Sequence, residues 1–315
     1  MDTCRLIHNE QQTDNNYARC ELKQHIMPVI EPSIRPPAER SSFLLQVTTG
    51  CSSDTCTFCA AYKGKTFTVK DTEEIVGDID RHSKLFPGTR RVFLMDGDAL
   101  AVGNDSLVPL LERLSRAFPG LARVSSYANG YNISRRSDPE LEELRENKLR
   151  LVYVGLESGN QGVLDSCKKR SGAEEMTEAV IRARKAGIKA SVIVLLGLGG
   201  REASGEHVRD TIKELNRMQP AYLSFLSLML IPGTEMYDKS RRGKFRELNS
   251  GELLREARDI LSGLNLNKTV FRSDHASNYL SLRGRLPRDK HMLVERLDLA
   301  LNGELDIRPG PLRGL

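Results

Sequence analysis

Six short apolar runs, each followed by a stretch with helical spacing, constrain this chain more than any other feature. The runs are FLLQVTT from residue 43, RVFLMD from 91, ARVSSYA from 122, LVYVGLE from 151, ASVIVLLG from 190 and AYLSFLSLML from 221. Between them Ile75, Val76, Ile79 and Phe86 share a helical face, as do Leu107, Leu110, Leu111, Leu114 and Phe118. Met176, Val180 and Ala183 repeat the pattern, and so do Val208, Ile212, Leu215 and Met218. Strands apolar along their whole length are buried on both faces, which implies a parallel sheet covered by crossover helices. Right-handed crossovers curl such a sheet toward a barrel.

In folds of this kind chemistry gathers at the carboxyl ends of the strands. The loop after the first run, GCSSDTCTFCAAY at 50–62, holds Cys51, Cys56 and Cys59 in the spacing C-x4-C-x2-C, three of the six cysteines in the chain. A structural zinc site takes four protein ligands. Here the nearest following histidine is His82, so zinc requires a distant Cys4, Cys20 or Cys167 to close the tetrahedron. A 4Fe-4S cluster is usually held by four thiolates. Three would leave one iron open to a substrate or cofactor, by the logic that separates catalytic from structural metal sites. Cys167 reads as a small hydrophobe, and Cys4 and Cys20 as inert.

The N-terminus, MDTCRLIHNEQQTDNNYARCELK, shows neither a basic nor an apolar leader segment, so a cytoplasmic protein with reduced thiols is expected. No apolar stretch approaches the roughly 18 residues of a membrane span. The net charge of +5 is spread among acidic residues except near SRRGKFR at 240–246, a weak sign of nucleic-acid binding.

The cysteine loop resembles that of the radical S-adenosylmethionine (radical SAM) enzymes, whose usual signature is C-x3-C-x2-C with an aromatic residue before the last cysteine; CSSDTCTFC places Phe58 there, with one extra residue in the first gap. The resemblance runs from about residue 42 to about 236. FLMDGDAL at 93–100 resembles the family's second-strand segment, with Asp96, Gly97 and Asp98 placed to meet the cofactor's amino group. YANGYNI at 127–133 is similar to the third strand end, implying Ser126 and Asn129 as cofactor contacts. YVGLESGNQGVL at 153–164 resembles the fourth-strand motif of the subgroup containing methylthiotransferases and oxygen-independent coproporphyrinogen oxidases, implying Glu157 and Ser158. The next helix and strand, IRARKAGIKASVIVLLGLGG, imply Arg184 at the cofactor carboxylate and Leu196 and Gly197 along the adenine.

The family's fold is a partial (β/α)6, TIM-like barrel. The expected division is therefore an extended lead-in at 1–40, whose IEPSIRPPAER disfavours helix, the barrel at 41–237, and an α-rich C-terminal extension at 238–315 covering the barrel mouth. The extension has a helical pattern at Leu253, Leu254, Ala257, Ile260, Leu261 and Leu264, then a run from 269 with a short strand-like start and a polar loop, and a helix at 289–302. Its placement makes His275, Asn278, Tyr279 and Asp289 candidate substrate contacts.

The resemblance implies a 4Fe-4S cluster and S-adenosylmethionine as cofactors, cleavage of the latter to a 5′-deoxyadenosyl radical, and hydrogen abstraction from a small-molecule substrate, with a flavodoxin- or ferredoxin-like electron donor. Two other readings stay open: a tRNA-modifying enzyme of the same family, and a noncatalytic iron-sulfur or haem carrier. Salt-sensitive tRNA binding marks the first, and ligand transfer without adenosyl product the second.

Overall fold

The computed structural model describes residues 34–314, so Cys4, Cys20 and most of the lead-in lie outside it. After a 3-10 turn at Pro37–Glu39 come β1 (Phe43–Gln46), β2 (Thr48–Thr49), β3 (Thr68–Val69), α1 (Thr72–Leu85), β4 (Arg91–Met95) and α2 (Asn104–Ala117). The chain continues through β5 (Arg123–Ala128), α3 (Gly130–Ser134), α4 (Asp138–Glu146), β6 (Leu149–Glu157), α5 (Gln161–Ser166), α6 (Ala173–Lys185) and β7 (Lys189–Leu196). It ends with α7 (Gly200–Met218), β8 (Tyr222–Ser227), α8 (Glu235–Arg241), α9 (Ser250–Gly263), β9 (Thr269–Ser273), β10 (Leu282–Leu286) and α10 (Lys290–Leu301).

Eight strands form one sheet in the order β1-β4-β5-β6-β7-β8-β9-β10, with β1 and β10 at its two edges, so the sheet is open. Each neighbouring pair is parallel except β9 and β10. The six expected strands are present, and the C-terminal segment, expected to be α-rich, adds two more. β10 escaped the sequence reading because LRGRL carries only two apolar side chains; its pairing with β9 over five residues supplies what its composition does not. No helix among the described residues is long and apolar enough to cross a membrane.

Strand alternation gives the sheet two unlike faces. One carries Leu45, Val92, Leu94, Val124, Val152, Val154, Val192, Leu223 and Phe271 into the large core beneath the helices. At about 25 cal/mol per Å2 of apolar surface removed from water, this layer supplies most of the favourable free energy of folding. The inner face carries Phe93, Met95, Leu151 and Tyr153, with Leu44, Tyr127 and Tyr222 packed against them. Phe93, Tyr127 and Tyr153 meet edge to face, with centroids 5.3 to 5.9 Å apart. The amino-terminal end of this face is plugged by the buried Glu39, which accepts from Tyr153 Oη and Arg123 Nη2, each at 2.7 Å.

Candidate active site

The cysteine loop leaves the carboxyl end of β1 and is strapped at its base by the antiparallel pair β2–β3. Asp96, fully buried just past β4, fastens both ends of the loop. Its Oδ2 accepts from Gly50 N at 3.1 Å at the loop's start, from Lys65 Nζ at 2.9 Å near its end, and from Gln46 Nε2 at 3.1 Å. Gly97 N donates to Gly50 O at 3.0 Å. A Cβ on Gly97 would stand 2.8 Å from Cys51 Cβ and 2.9 Å from Tyr62 Cε2, so only glycine lets the strand end approach the first cysteine this closely.

Cys51, Cys56 and Cys59 are unpaired and half-buried. Burial pushes the Cys51 thiol up to about 11 and raises that of Cys56. Among the described residues no three His, Cys, Asp or Glu side chains converge on one ion. A cubane makes no such demand, because each thiolate binds a different iron.

Asp98 lies beside this loop. Its Oδ2 accepts from Ser52 Oγ at 2.6 Å and from the side-chain amides of Asn129 and Asn132. Its Oδ1 is buried with no hydrogen-bond partner among the described residues. Burial pushes the Asp98 carboxyl up to about 6, against the pull of Ser52, Asn132 and Arg136. A buried acceptor of this kind costs free energy unless a donor reaches it. Ser52 and Asn132 were not read from the sequence, since nothing marks them until α3 brings its first turn over the loop.

Glu157 closes the other side. It ends β6 at φ +61°, in the left-handed region that is uncommon for a non-glycine residue. Its carboxylate folds back over Gly155, where a Cβ would be only 2.1 Å from Oε1. Oε1 accepts from Lys169 Nζ at 3.1 Å, with both side chains largely buried. Burial alone would lower the Lys169 pKa, but Glu157 and the nearby Cys56 and Cys51 thiols raise it, so the ammonium is held beside the cysteines. The motif drew attention to Glu157; its partner, twelve residues on among basic neighbours, went unread. Next to it Arg170 donates to Ser52 O at 3.1 Å and lies 3.9 Å over the Tyr131 ring.

Phe58 packs with Val163, Cys167, Leu195, Leu198, Leu226 and Leu228 as an apolar wall at the same end. The Cys167 carbonyl accepts from Thr57 N at 2.9 Å, and its side chain is wholly buried.

Several sequence candidates fall elsewhere. Leu196 faces the helix-covered core, and its neighbour Leu195 stands on the Phe58 side. Ser126 is in register with Leu94 and Val152, also on the helix-covered face, and donates to Tyr127 O. Arg184 lines a groove with Gly187, Lys189, Gln219 and Lys268 at the amino-terminal ends of the strands, the far end from the cysteines. Asp289 is also at that end, past β10, where it accepts from Arg285 N and Arg288; it does not reach the barrel mouth.

His275, Asn278 and Tyr279 do follow β9 at the carboxyl end. Asn278, however, is buried and committed to Phe225 O, Ser227 and Ser273. His275 bonds Ser277, and Tyr279 stacks under Arg313. These three hold the loop's own fold.

Ser158 is turned away from the thiols into a buried polar chain. Its Oγ accepts from Asn160 N at 3.1 Å and shares a hydrogen bond with His207 Nδ1 at 2.8 Å. His207 Nε2 stands 3.8 Å from Glu256 Oε2. Glu256, carried in from α9, accepts from Gly197 N at 2.5 Å and Ser204 Oγ at 2.7 Å. A capping box of Asn249 and Glu252 sets the start of α9 and so the height at which Glu256 enters. Burial pushes Glu256 up to about 7 and His207 down to about 4.

A three-thiol loop thus stands at the head of an open, mostly parallel α/β sheet, flanked by a buried unpaired carboxylate oxygen and a shielded ammonium. The sequence profile of the Radical SAM superfamily matches residues 45–233, and the chain belongs to that superfamily of enzymes, whose cofactors are a 4Fe-4S cluster and S-adenosylmethionine. A protein of Methanocaldococcus jannaschii named as a methylthiotransferase is 24% identical over 174 residues, 52% of this chain and 37% of that protein. The chain therefore spans little more than a third of that relative.

Among solved structures the fold is similar to coproporphyrinogen III oxidase from Escherichia coli, with TM-score 0.53, 16% identity and coverage of 76% and 55% of the two chains. It is also similar to methylornithine synthase, with TM-score 0.52, 15% identity and coverage of 86% and 72%. A radical S-adenosylmethionine methyltransferase from Kitasatospora setae, whose structure holds cobalamin and a [4Fe-4S] cluster, gives TM-score 0.50, 20% identity and coverage of 62% and 38%.

Proposed function

We propose that Cys51, Cys56 and Cys59 ligate the cluster and that the protein uses it with S-adenosylmethionine to abstract hydrogen from a small-molecule substrate. The observation that carries this is the junction of the thiol loop with Asp98, whose buried Oδ1 has room in its hydrogen bonding for an ammonium donor. Bound together, cluster and cofactor supply one-electron cleavage of a carbon-sulfur bond and hence a carbon radical able to take hydrogen.

The chain's own residues bind and orient. Asp98 accepts the cofactor's amino group, while Ser52, Asn129 and Asn132 keep its other oxygen occupied. Lys169, neutralised on one side by Glu157, faces the cofactor carboxylate, the role the sequence resemblance had given to Arg184. Phe58, Leu195 and Leu226 form the apolar wall for the adenine and keep water from the reacting carbon. Asp96 and Gly97 hold the loop against β4. The 15 to 20% structural likenesses carry the fold and leave the substrate to experiment.

A second reading, methylthio transfer, draws on the likeness to the methanogen protein over 174 residues. Both readings share their first step. Anaerobically reconstituted protein is expected to hold about four irons in the thiol loop and, with reductant, to form 5′-deoxyadenosine. Cys56→Ala is expected to lose both cluster and product. Product of equal yield from Cys56→Ala would remove the assignment, and an intact cluster with no product would favour a carrier.

A further inference from the structure

The inner face of the sheet is not uniform. Across β4 and β6 it is packed shut by Phe93, Met95, Leu151 and Tyr153. Toward the open edge it becomes accessible, with Ile193, Tyr222, Ser224, Leu226 and Val270 half-buried. Register continues this face onto the last two strands. Ser224 pairs with Arg272, Arg272 with Arg283, and Val270 with Arg285, so three arginines project from the inner face of β9 and β10. All three are exposed.

Like charges directly opposite on neighbouring strands destabilise a sheet, and Arg272 and Arg283 are directly opposite. A single carboxylate sits between them: Asp274 Oδ2 is 2.5 Å from Arg283 Nε and 3.7 Å from Arg272 Nη1. Charged side chains on an edge strand guard against edge-to-edge pairing, which accounts for Arg283 and Arg285. It does not account for Arg272, because β9 is paired on both sides.

Two residues along β8 from Ser224, Leu226 belongs to the apolar wall that holds Phe58. By strand geometry Arg272 is about 8 Å from Leu226 across the face. The arginine group thus borders the accessible part of the inner face within a small molecule's length of the wall beside the thiols.

We propose that Arg272 and Arg283 form the anion subsite of the substrate pocket and that the substrate is a small molecule bearing carboxylate or phosphate groups. This rests on the function proposed above and names its substrate class. Guanidinium forks suit bidentate pairing with either anion. An anion here would relieve the Arg272–Arg283 repulsion that Asp274 only partly offsets. The group spans two strands, a width that fits one or two anionic groups and is too short to track a nucleic-acid backbone.

The test uses the reconstituted, cluster-loaded protein without S-adenosylmethionine, so it reads binding separately from cofactor cleavage. Inorganic pyrophosphate and citrate are titrated calorimetrically into the wild type, Arg272→Gln/Arg283→Gln and Arg272→Lys/Arg283→Lys, with a single-stranded RNA oligonucleotide as a further arm. We expect saturable binding of at least one small anion by the wild type, weakened at least tenfold in the glutamine pair and largely kept in the lysine pair. The tighter of the two anions identifies phosphate or carboxylate as the group recognised.

Equal isotherms in the wild type and the glutamine pair, or binding of neither anion, overturn the proposal. So does arginine-dependent binding of the RNA alone. Circular dichroism and melting of the glutamine pair check its fold, and the lysine pair keeps the test decisive if glutamine disturbs the edge. A protein that binds the anion but makes no 5′-deoxyadenosine would refute the radical reading and leave this site standing.

Discussion

Gly97→Ala is expected to empty the cluster site while leaving the protein folded. The added methyl would meet Cys51 Cβ at 2.8 Å, Tyr62 Cε2 at 2.9 Å and Cys51 Sγ at 3.1 Å. None of these neighbours has an easy retreat. Gly50, just before Cys51, is bound to both Asp96 and Gly97, and Tyr62 is buried. The strain falls on the cysteine loop, which stands at one end of the sheet outside the large core beneath the helices.

Overpacking of this kind typically costs about 1–3 kcal/mol, too little to unfold most domains. It is ample to misplace a thiolate that, in the function proposed above, meets an iron with defined geometry. The expected result is a cooperative melt a few degrees below wild type, iron falling from about four per chain to below one, and 5′-deoxyadenosine formation reduced by at least a hundredfold. Full iron loading in Gly97→Ala would show that β4 does not position the loop as described.

What the sequence made legible follows its periodicities. Long apolar strands and amphipathic helices stood out, and with them the placement of Cys51, Cys56 and Cys59 at a strand's carboxyl end. Where a side chain points was harder. Shifting by one residue along a strand reverses the face, and that separates Leu196 from Leu195 and Ser126 from Tyr127. Arg184 was near the right strand in sequence but at its wrong end in space, because a helix antiparallel to the strand returns its last turn to the strand's start. Lys169, Ser52 and Asn132 became visible only when loops far apart in sequence met. Arg272 and Arg283 went unread, and only the register of β9 and β10 puts them on the inner face. Glu256 and His207 went unread within two amphipathic helices, yet both are buried.

That buried pair carries the second large effect, and its sign depends on where one proton resides. Unfolded, Glu256 would titrate at its ordinary value of 4.5 and His207 at 6.5; folded, burial moves them to about 7 and about 4. Between pH 4.5 and 6.5 the unfolded pair keeps one proton on the histidine, and the folded pair keeps one on the glutamate. The wild type therefore neither gains nor loses stability through this pair over that window. Glu256→Gln mimics the neutral carboxyl and leaves His207 alone. A histidine with a depressed folded pKa gains stability as pH rises toward its unfolded value, so this variant should grow more stable than wild type from pH 4.5 to 6.5. The difference is on the order of 3 kcal/mol at about 1.4 kcal/mol per pKa unit.

Glu256→Ala instead strips the acceptor from Gly197 N and Ser204 Oγ and leaves a cavity, an expected loss of about 2–5 kcal/mol relative to Glu256→Gln at every pH. Because Gly197 begins the loop after β7, S-adenosylmethionine affinity should fall at least tenfold in the alanine variant, with iron content unchanged and affinity restored by glutamine. Melting curves across pH and equilibrium binding of the cofactor check both parts. A glutamine variant as damaged as alanine would mean that the site requires the charged carboxylate, and that His207 and Glu256 meet as an ion pair.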